Sequence, residues 1–270
     1  LALAFFNLLF VPVAFLVHPD LGQVATAFAT WGPLPGGFNQ NMILLVMANI
    51  GATVTPWMLF FQQSAVMDKG LTPKDIPHGR IDTAIGAILA AIIACATIIA
   101  TSVLFTHQIS TANFQGAEFA QALEPYVGRI GATLFALGII EAGLLAVITI
   151  SSSSAYAFGE VTGFAHSLNR PLREAWGFYA VMALGAACAA GLVLIPGAPL
   201  VLIVLAVNVV ATLSMPPALV FLILLVNDRE IMGKYANGRV ANVLAVSIVL
   251  FLCTVSLIWA VMTVISGFSH

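Results

Sequence analysis

The sequence predicts an all-α membrane protein, a polytopic bundle of helices that crosses a lipid bilayer several times. Two features of the composition support this prediction: 61% of the 270 residues are hydrophobic and only 7% are charged. The mean hydropathy of +1.06 exceeds what a soluble domain of this length needs, so lipid must solvate the apolar surface. The third feature is the repetition of apolar runs of about 20 residues, the length that crosses a bilayer.

Six apolar runs are long enough to span the membrane, and a seventh opens the chain. The opening run, 1–17, has no charged segment before it and no small-residue cleavage site, so it is not a signal peptide. It is expected to be the end of a helix whose start is missing, which makes the chain a fragment with a single transmembrane domain over residues 1–270. The predicted spans are 1–17, 41–67, 83–105, 130–158, 176–194, 200–226 and 240–264.

The basic residues divide the loops into two classes. Loops 68–80, 159–174 and 227–239 hold all but one of the nine, and the opposite loops hold only Arg129. Lysine and arginine concentrate on the cytoplasmic side of membrane proteins, so these three loops are predicted to face the cytoplasm and the C-terminus the exterior. The expected location is a bacterial cytoplasmic membrane. The basic residues on the cytoplasmic side are Lys69, Lys74, Arg80, Arg170, Arg173, Arg229, Lys234 and Arg239.

The second span is interrupted near its middle by the segment GATVTP, residues 51–56. Proline lacks an amide hydrogen and clashes with the preceding turn, so Thr53, Val54 and Pro56 mark a predicted helix break. Unpaired backbone survives in a bilayer only inside protein or beside water. A break with small residues therefore indicates a site for a transported ion or solute. A proline kink packed against neighbouring helices explains the same pattern equally well.

Polar residues inside the other spans leave similar alternatives open. Glu141 lies well inside the fourth span, where a carboxyl group attracts cations, relays protons or stays protonated as a structural hydrogen-bonding group. Asn208 and Thr212 are four residues apart and share a helical face. Their oxygens suit a hard cation or a contact between helices. The serines of 151–154 are predicted to make helix contacts.

Several classes of function are excluded by what the sequence does not contain. The three cysteines lie in separate apolar runs without ligand spacing, and the five histidines all lie in loops or tails. No span therefore offers a soft metal site or a histidine proton shuttle. The sequence has no nucleophile–base pair, no cofactor motif and no basic stripe for nucleic acid, so it is not expected to be an enzyme or to need a cofactor. The expected partner is the lipid bilayer, with no obligate protein partner.

Four segments resemble one family of membrane transporters. The segment GATVTPWMLFFQQS resembles the sixth-helix signature of the Nramp divalent-metal transporters, usually written GATVMPHNLYLHS, and LAVNVVATLSMPPALVFLILLVNDREIMG resembles their tenth helix. HPDLG matches the segment after their fifth helix, and TLFALGIIEAGL resembles their eighth. The resemblance implies a LeuT-type fold of two inverted repeats, of which this chain covers about helices five to eleven. The metal site of that fold lies between unwound parts of helices one and six.

The resemblance also assigns expected roles to individual residues. Ala52 takes the position whose backbone carbonyl ligates metal, and Asn208 replaces a glutamine that approaches the ion. Thr55 stands where the family has its metal-binding methionine. Trp57 and Gln62 replace two histidines that are linked to proton movement. The charged ligands of the family's first-helix DPGN motif have no counterpart in this chain.

These departures predict a change in the transported ion. A thioether is a soft ligand that favours manganese or iron, whereas a hydroxyl is hard and leaves an oxygen-only site. The pattern resembles the Nramp-related magnesium transporters, which implies alternating-access transport of hydrated Mg²⁺, and of Mn²⁺, with little or no proton coupling. Glu141 is expected to add negative potential to the cavity or to support the hydrated ion through water. The alternatives are a proton-coupled Mn²⁺/Fe²⁺ transporter and a non-transporting membrane protein that retains the fold.

Overall fold

The computed structural model describes residues 6–30, 40–107, 109, 114 and 116–267. Helices contain most of these residues and none of them lies in a β-strand, which confirms the predicted all-α class. Short 3-10 turns occupy Asn7–Leu9, Pro73–Asp75 and Gly233–Tyr235. The α-helices are α1 (Phe10–Leu16), α2 (Leu21–Thr30), α3 (Gln40–Thr53), α4 (Pro56–Asp68), α5 (Ile76–Thr106), α6 (Gly116–Thr162), α7 (Trp176–Val193), α8 (Leu200–Asn227), α9 (Arg229–Met232) and α10 (Arg239–Gly267).

Six helical segments of the described chain are long and apolar enough to cross a membrane. Large apolar side chains on them, such as Phe105, Ile130 and Phe221, are exposed. Exposed apolar surface on this scale is unfavourable in water and favourable in lipid, so the chain is an integral membrane protein. The six segments are Met42–Asp68, Pro73–Thr106, Gly116–Thr162, Trp176–Val193, Leu200–Asn227 and Arg239–Ile258.

The first predicted span is short in the structure and is followed by a sharp bend. The helical segments Asn7–Leu16 and Leu21–Ala27 meet at 120°. His18 adopts a positive φ of 52° at the turn, and the Asp20 carboxylate accepts a hydrogen bond from the Gly22 amide at 2.8 Å at the start of α2. The segment between the predicted spans 1–17 and 41–67, where a loop is predicted, therefore contains the helix α2. Residues 1–5, 31–39 and 268–270, which include parts of the predicted first span and tail, lie outside the described residues.

Helix α6 consists of two helices that meet at Gly128. This residue has φ 71° and ψ 171°, a backbone conformation that is readily available only to glycine. Pro125 lies one turn earlier and also weakens the helical hydrogen bonds there. The predicted span 130–158 falls in the second helix. The first helix lies between the predicted spans 83–105 and 130–158, where a loop is predicted. Hydropathy does not reveal that helix because it is short and carries charged residues.

The chain divides into two compact units. One comprises Leu1–Trp31 and Phe60–Val201, and the other comprises Gly32–Leu59 and Leu202–His270. The core of the second unit includes Met47, Ala48 and Val209. The single transmembrane domain over residues 1–270 stays a prediction. The first unit has a core on α1, α5 and α6 that includes Phe10, Val13, Ala100, Leu104, Leu123 and Phe135, and a smaller one of Ala155, Tyr156, Ala175 and Phe178.

Candidate ion site

The chain leaves regular helix at the segment that the sequence marks as a break. Helix α3 ends at Thr53 and α4 begins at Pro56. The Val54 amide still donates to the Ile50 carbonyl at 2.9 Å, as in a helix. The Ala52 carbonyl has no such donor, because the residue four positions on is Pro56, which has no N–H. Ala52 is an exposed residue, and its carbonyl, which lacks the regular helical donor, is a candidate ligand.

Thr55 lies inside the break with a buried hydroxyl group. The residue is 5% exposed, and its Oγ1 atom has no hydrogen-bond partner among the described residues. Its neighbour Thr53 differs, because Thr53 Oγ1 donates to the Asn49 carbonyl at 2.8 Å. A buried hydroxyl without a partner costs about 1–3 kcal/mol in protein mutational data. An ion, or water bound to an ion, would remove that cost.

Helices α3 and α8 touch at Gly51 and Asn208. A Cβ atom at Gly51 would overlap the backbone carbonyl oxygen of Asn208 and would stand 2.6 Å from Thr212 Oγ1. Only glycine permits this approach. Ala52 is the next residue along α3. The Asn208 side chain is partly buried and makes no hydrogen bond to any described residue.

Thr212 joins the same two helices. Its side chain is 0% exposed, and Oγ1 lies 2.7 Å from the Met47 carbonyl on α3 and 3.0 Å from the Asn208 carbonyl on its own helix. A hydroxyl has one proton, so it donates to one of these carbonyls at a time. The polar face formed by Asn208 and Thr212 is predicted either to bind a cation or to contact another helix. Thr212 makes the contact with another helix. The amide of Asn208 stays available to a ligand.

The residues around the break supply neutral oxygens and no charge. No Asp, Glu, Lys, Arg or His occurs in residues 40–59 or 202–227. Across the described parts of the chain, no group of three or more His, Cys, Asp or Glu is placed to hold a metal ion. A carbonyl, a hydroxyl and an amide oxygen are hard donors that suit a hard cation or its water shell. They do not neutralise its charge.

A cavity of about 390 Å³ lies on another face of α3, against α10. Its walls are almost entirely apolar, so it does not suit an ion. Thr53 and Val54, two of the residues predicted to mark the break, line this cavity and not the contact with α8. The lining residues are Val46, Asn49, Ile50, Thr53, Val54, Ile248, Phe251 and Leu252.

The remaining predicted site residues lie elsewhere. Trp57 and Gln62 are both on α4, Trp57 partly buried and Gln62 exposed. Glu141 is on α6 in the first unit and is 4% exposed, and neither of its carboxyl oxygens has a partner among the described residues. The serines of 151–154 include Ser152, whose Oγ donates to the Ile148 carbonyl at 2.6 Å within its own helix.

A second polar group, at the end of α4, was not expected from the sequence. We name it the Asp68 cluster: Asp68, Tyr156, Leu168 and Asn169. The Asp68 carboxylate accepts hydrogen bonds from the Tyr156 hydroxyl and from the Leu168 amide at 2.9 Å. The Asn169 side chain donates to the Asp68 backbone carbonyl at 2.8 Å. The cluster fastens α4 to α6 and to the segment after α6.

Aromatic packing and a further hydrogen bond support the Asp68 cluster. The Tyr156 ring meets Phe178 edge-to-face with 4.9 Å between centroids. One turn before Asp68, Ser64 Oγ lies 2.8 Å from Glu160 Oε1 on α6. Asp68 and Tyr156 are 88 positions apart in sequence. No local pattern in the sequence could have paired them.

Comparison with known proteins places these features in a family. The family model described as Nramp, natural resistance-associated macrophage protein-like, matches residues 1–262. A divalent metal cation transporter MntH from Aeromonas hydrophila is 28% identical over 244 residues, which cover 87% of this chain and 56% of that protein.

Proteins of the same name from two other bacteria are also similar. The one from Mycobacterium leprae is 26% identical, with 86% of this chain and 54% of its own length covered. The one from Ralstonia nicotianae is 26% identical, with 96% of this chain and 58% of its own length covered. The chain thus spans a little over half the length of these relatives. Because the family model matches nearly the whole chain, the chain belongs to the Nramp family.

Proposed function

We propose that this chain is part of a transporter that carries a hard divalent cation, hydrated Mg²⁺ and also Mn²⁺, by alternating access with little or no proton coupling. The similar proteins are named divalent metal cation transporters. The observation that carries the choice of ion is the buried Thr55 hydroxyl, which has no partner among the described residues. It occupies the position where the family pattern has a soft methionine.

Three neutral oxygens form this chain's share of the proposed site. They are the Ala52 carbonyl, the Thr55 hydroxyl and the Asn208 amide oxygen, which contact the ion directly or through its waters. Mg²⁺ gives up water reluctantly, so a site of neutral oxygens suits a partly hydrated ion. The carboxylate that balances its charge is supplied by another part of the full-length protein, as the family's first-helix motif implies. The contact between Gly51 and Asn208 keeps the oxygens in place.

The proposed absence of coupling follows from the groups beside the break. Trp57 and Gln62 stand at the two positions where the family pattern has histidines, and neither side chain takes up a proton near neutral pH. We further propose that loops 68–80, 159–174 and 227–239 face the cytoplasm of a bacterial cytoplasmic membrane, as the distribution of lysine and arginine favours. This orientation puts the C-terminus outside.

The competing function is proton-coupled transport of Mn²⁺ or Fe²⁺. Glu141 favours it, because a buried carboxyl group is able to carry a proton where no histidine is present. Uptake of Mn²⁺ into liposomes by the full-length protein, with internal pH recorded, separates the two functions. We expect millimolar Mg²⁺ to inhibit the uptake of Mn²⁺, and we expect no acidification of the liposome interior. Uptake of Mn²⁺ that acidifies the liposome interior and is not inhibited by Mg²⁺ would contradict the proposal. Absence of any uptake by well-folded protein would indicate a non-transporting relative.

The substitution Thr55→Met tests the role of the hydroxyl group. A thioether restores a soft ligand, so the ratio of Mn²⁺ to Mg²⁺ uptake is expected to rise about tenfold, the equivalent of about 1.4 kcal/mol. Thr53→Met is the matched control, since Thr53 is exposed and its hydroxyl is already bonded to the Asn49 carbonyl. An equal change of the ratio in both variants would remove Thr55 from the proposed site.

A further inference from the structure

Glu141 is the buried carboxyl group that the proposed ion site does not use. It is 4% exposed, and both of its oxygens lack a hydrogen-bond partner among the described residues. A charged carboxylate in apolar surroundings is strongly unfavourable unless a cation or several donors compensate it. The surroundings of this side chain therefore determine its protonation state.

Contacts made by the two turns of α6 before Glu141 place this residue near the beginning of the described chain. The Phe10 ring lies 2.8 Å from where a Cβ atom of Gly138 would stand, and Leu16 contacts the corresponding position at Gly131. Helix α1 therefore runs antiparallel to α6. The turn Asn7–Leu9, which precedes Phe10 and packs on α6, lies beyond Gly138 in the direction of Glu141. Gly138 and Glu141 are three residues apart and share this face.

The elements that pack on this part of α6 offer no charge to compensate a carboxylate. Asn7–Leu9 and α1 contain no titratable residue. The nearest cationic residue on α6, Arg129, is twelve positions away, which is about 18 Å along a helix. The titratable residues on the packed helices are His78, Arg80, Asp82 and Cys95 on α5, Tyr179 and Cys188 on α7, and Glu118, Glu124, Tyr126, Arg129, Tyr156 and Glu160 on α6.

The charged residues in this set lie near the helix ends, and those in the apolar middle of α5 and α7 are the thiols Cys95 and Cys188. Cys95 faces Val11 and Ala14 of α1 across a separate apolar cavity. Neither thiol supplies a positive charge. None of the described elements that pack on this part of α6 therefore places a positive charge beside Glu141, and Asn7 on the adjoining turn is polar but neutral.

We propose that Glu141 is a proton-binding site, at which the side chain is held as a neutral carboxylic acid between α6 and the turn Asn7–Leu9. The proton is the cation that allows the group to stay buried without a charged partner. If the proton leaves, the carboxylate requires water or another cation, which the described surroundings do not provide. This inference does not rest on the proposed function, because it concerns a bound proton and not the transported ion. It replaces the expectation that Glu141 adds negative potential to the cavity.

Infrared spectroscopy of the full-length protein in lipid bilayers tests the proposal without a transport assay. The carbonyl stretching band of protonated carboxyl groups is recorded at neutral pH for the wild type and for Glu141→Gln. The variant is expected to lose the intensity of one carboxyl group. Glu160→Gln is the matched control, since Glu160 is an exposed residue on the same helix, and it should leave the band unchanged.

The proposal would be overturned by a wild-type spectrum without this band at neutral pH, or by a band that persists in full in Glu141→Gln. If Glu141→Gln does not fold, Glu141→Asp keeps a carboxyl group and should shift the frequency of the same band. Isotope labelling of glutamate provides the corresponding shift in the wild type. An unshifted band in labelled wild-type protein would also contradict the assignment to glutamate.

Discussion

Two polar regions of this protein differ in how their hydrogen bonds are satisfied. In the Asp68 cluster, the Asp68 carboxylate accepts from the Tyr156 hydroxyl and the Leu168 amide, and its carbonyl accepts from Asn169. At the helix break, the Thr55 hydroxyl is buried and has no partner among the described residues, and the residue four positions after Ala52 is Pro56, which has no N–H to donate. The first region is a structural joint, and the second is the region of the proposed ion site.

Structural and functional polar groups in a membrane protein differ in whether their hydrogen bonds are satisfied. Satisfied polar groups hold helices together and make the structure more rigid. Unsatisfied buried groups cost stability and persist where they serve another purpose. Thr212 illustrates the first case within the second unit, since its hydroxyl bonds the Met47 carbonyl. Burial alone does not distinguish Thr212 from Thr55, because both are almost fully buried.

The largest effect is expected from Gly51→Ala, which would abolish the contact that holds the break against α8. The new Cβ atom would overlap the Asn208 carbonyl, and backbone cannot move aside as a flexible side chain does. Overpacking costs about 1–3 kcal/mol, and this change should reach the upper end. The measurement is the thermal stability of the full-length protein together with its uptake of Mn²⁺.

Gly143→Ala is the control for that substitution. Gly143 lies in α6, and a Cβ atom there would meet nothing within 4 Å in the described structure. Alanine also favours helix more than glycine does. Wild-type stability or better is expected for Gly143→Ala. Equal stability of the two variants would show that the contact between Gly51 and Asn208 does not hold the helices together.

An intermediate effect is expected from Tyr156→Phe, which removes one donor from the Asp68 cluster. Hydrogen bonds to charged groups contribute about 1.5–3 kcal/mol, and the lower end applies because Asp68 is partly exposed and retains the Leu168 amide. Loss of thermal stability should exceed that of Tyr179→Phe, whose hydroxyl donates to the Arg170 carbonyl at 3.0 Å. The reverse order of stability would contradict the role of the cluster as a joint.

The smallest effect on stability is expected from Thr55→Val. Without divalent cations the hydroxyl loses no hydrogen bond to any described residue, so the isosteric change should be neutral or slightly stabilising. The matched substitution Thr212→Val removes a buried donor and should cost about 1 kcal/mol. Uptake should show the opposite order, with Thr55→Val the more impaired variant. If Thr55→Val were the less stable of the two, the contrast between the two hydroxyls would be wrong.

Features that depend on neighbours along the chain could be predicted from the amino-acid sequence alone. Long apolar runs predicted membrane helices because crossing a bilayer is a matter of local length and hydropathy. Pro56 predicted the break, since its missing N–H acts on a carbonyl only four residues away. The sequence did not reveal α2 or the first part of α6, because both are short helices outside the long apolar runs.

Which polar groups have partners depends on the tertiary structure. It brings Gly51 against Asn208 and the Thr212 hydroxyl against the Met47 carbonyl, and it leaves Thr55 without a partner among the described residues. It also joins Asp68 to Tyr156 and encloses Glu141 without a hydrogen-bond partner in the described part of the chain. The hydrogen-bond partners depend on the packing of helices that are far apart in sequence. The composition of each helix is compatible with either a satisfied or an unsatisfied hydroxyl. That packing is the physical reason why Thr55 and Thr212, alike in the sequence, differ in the protein.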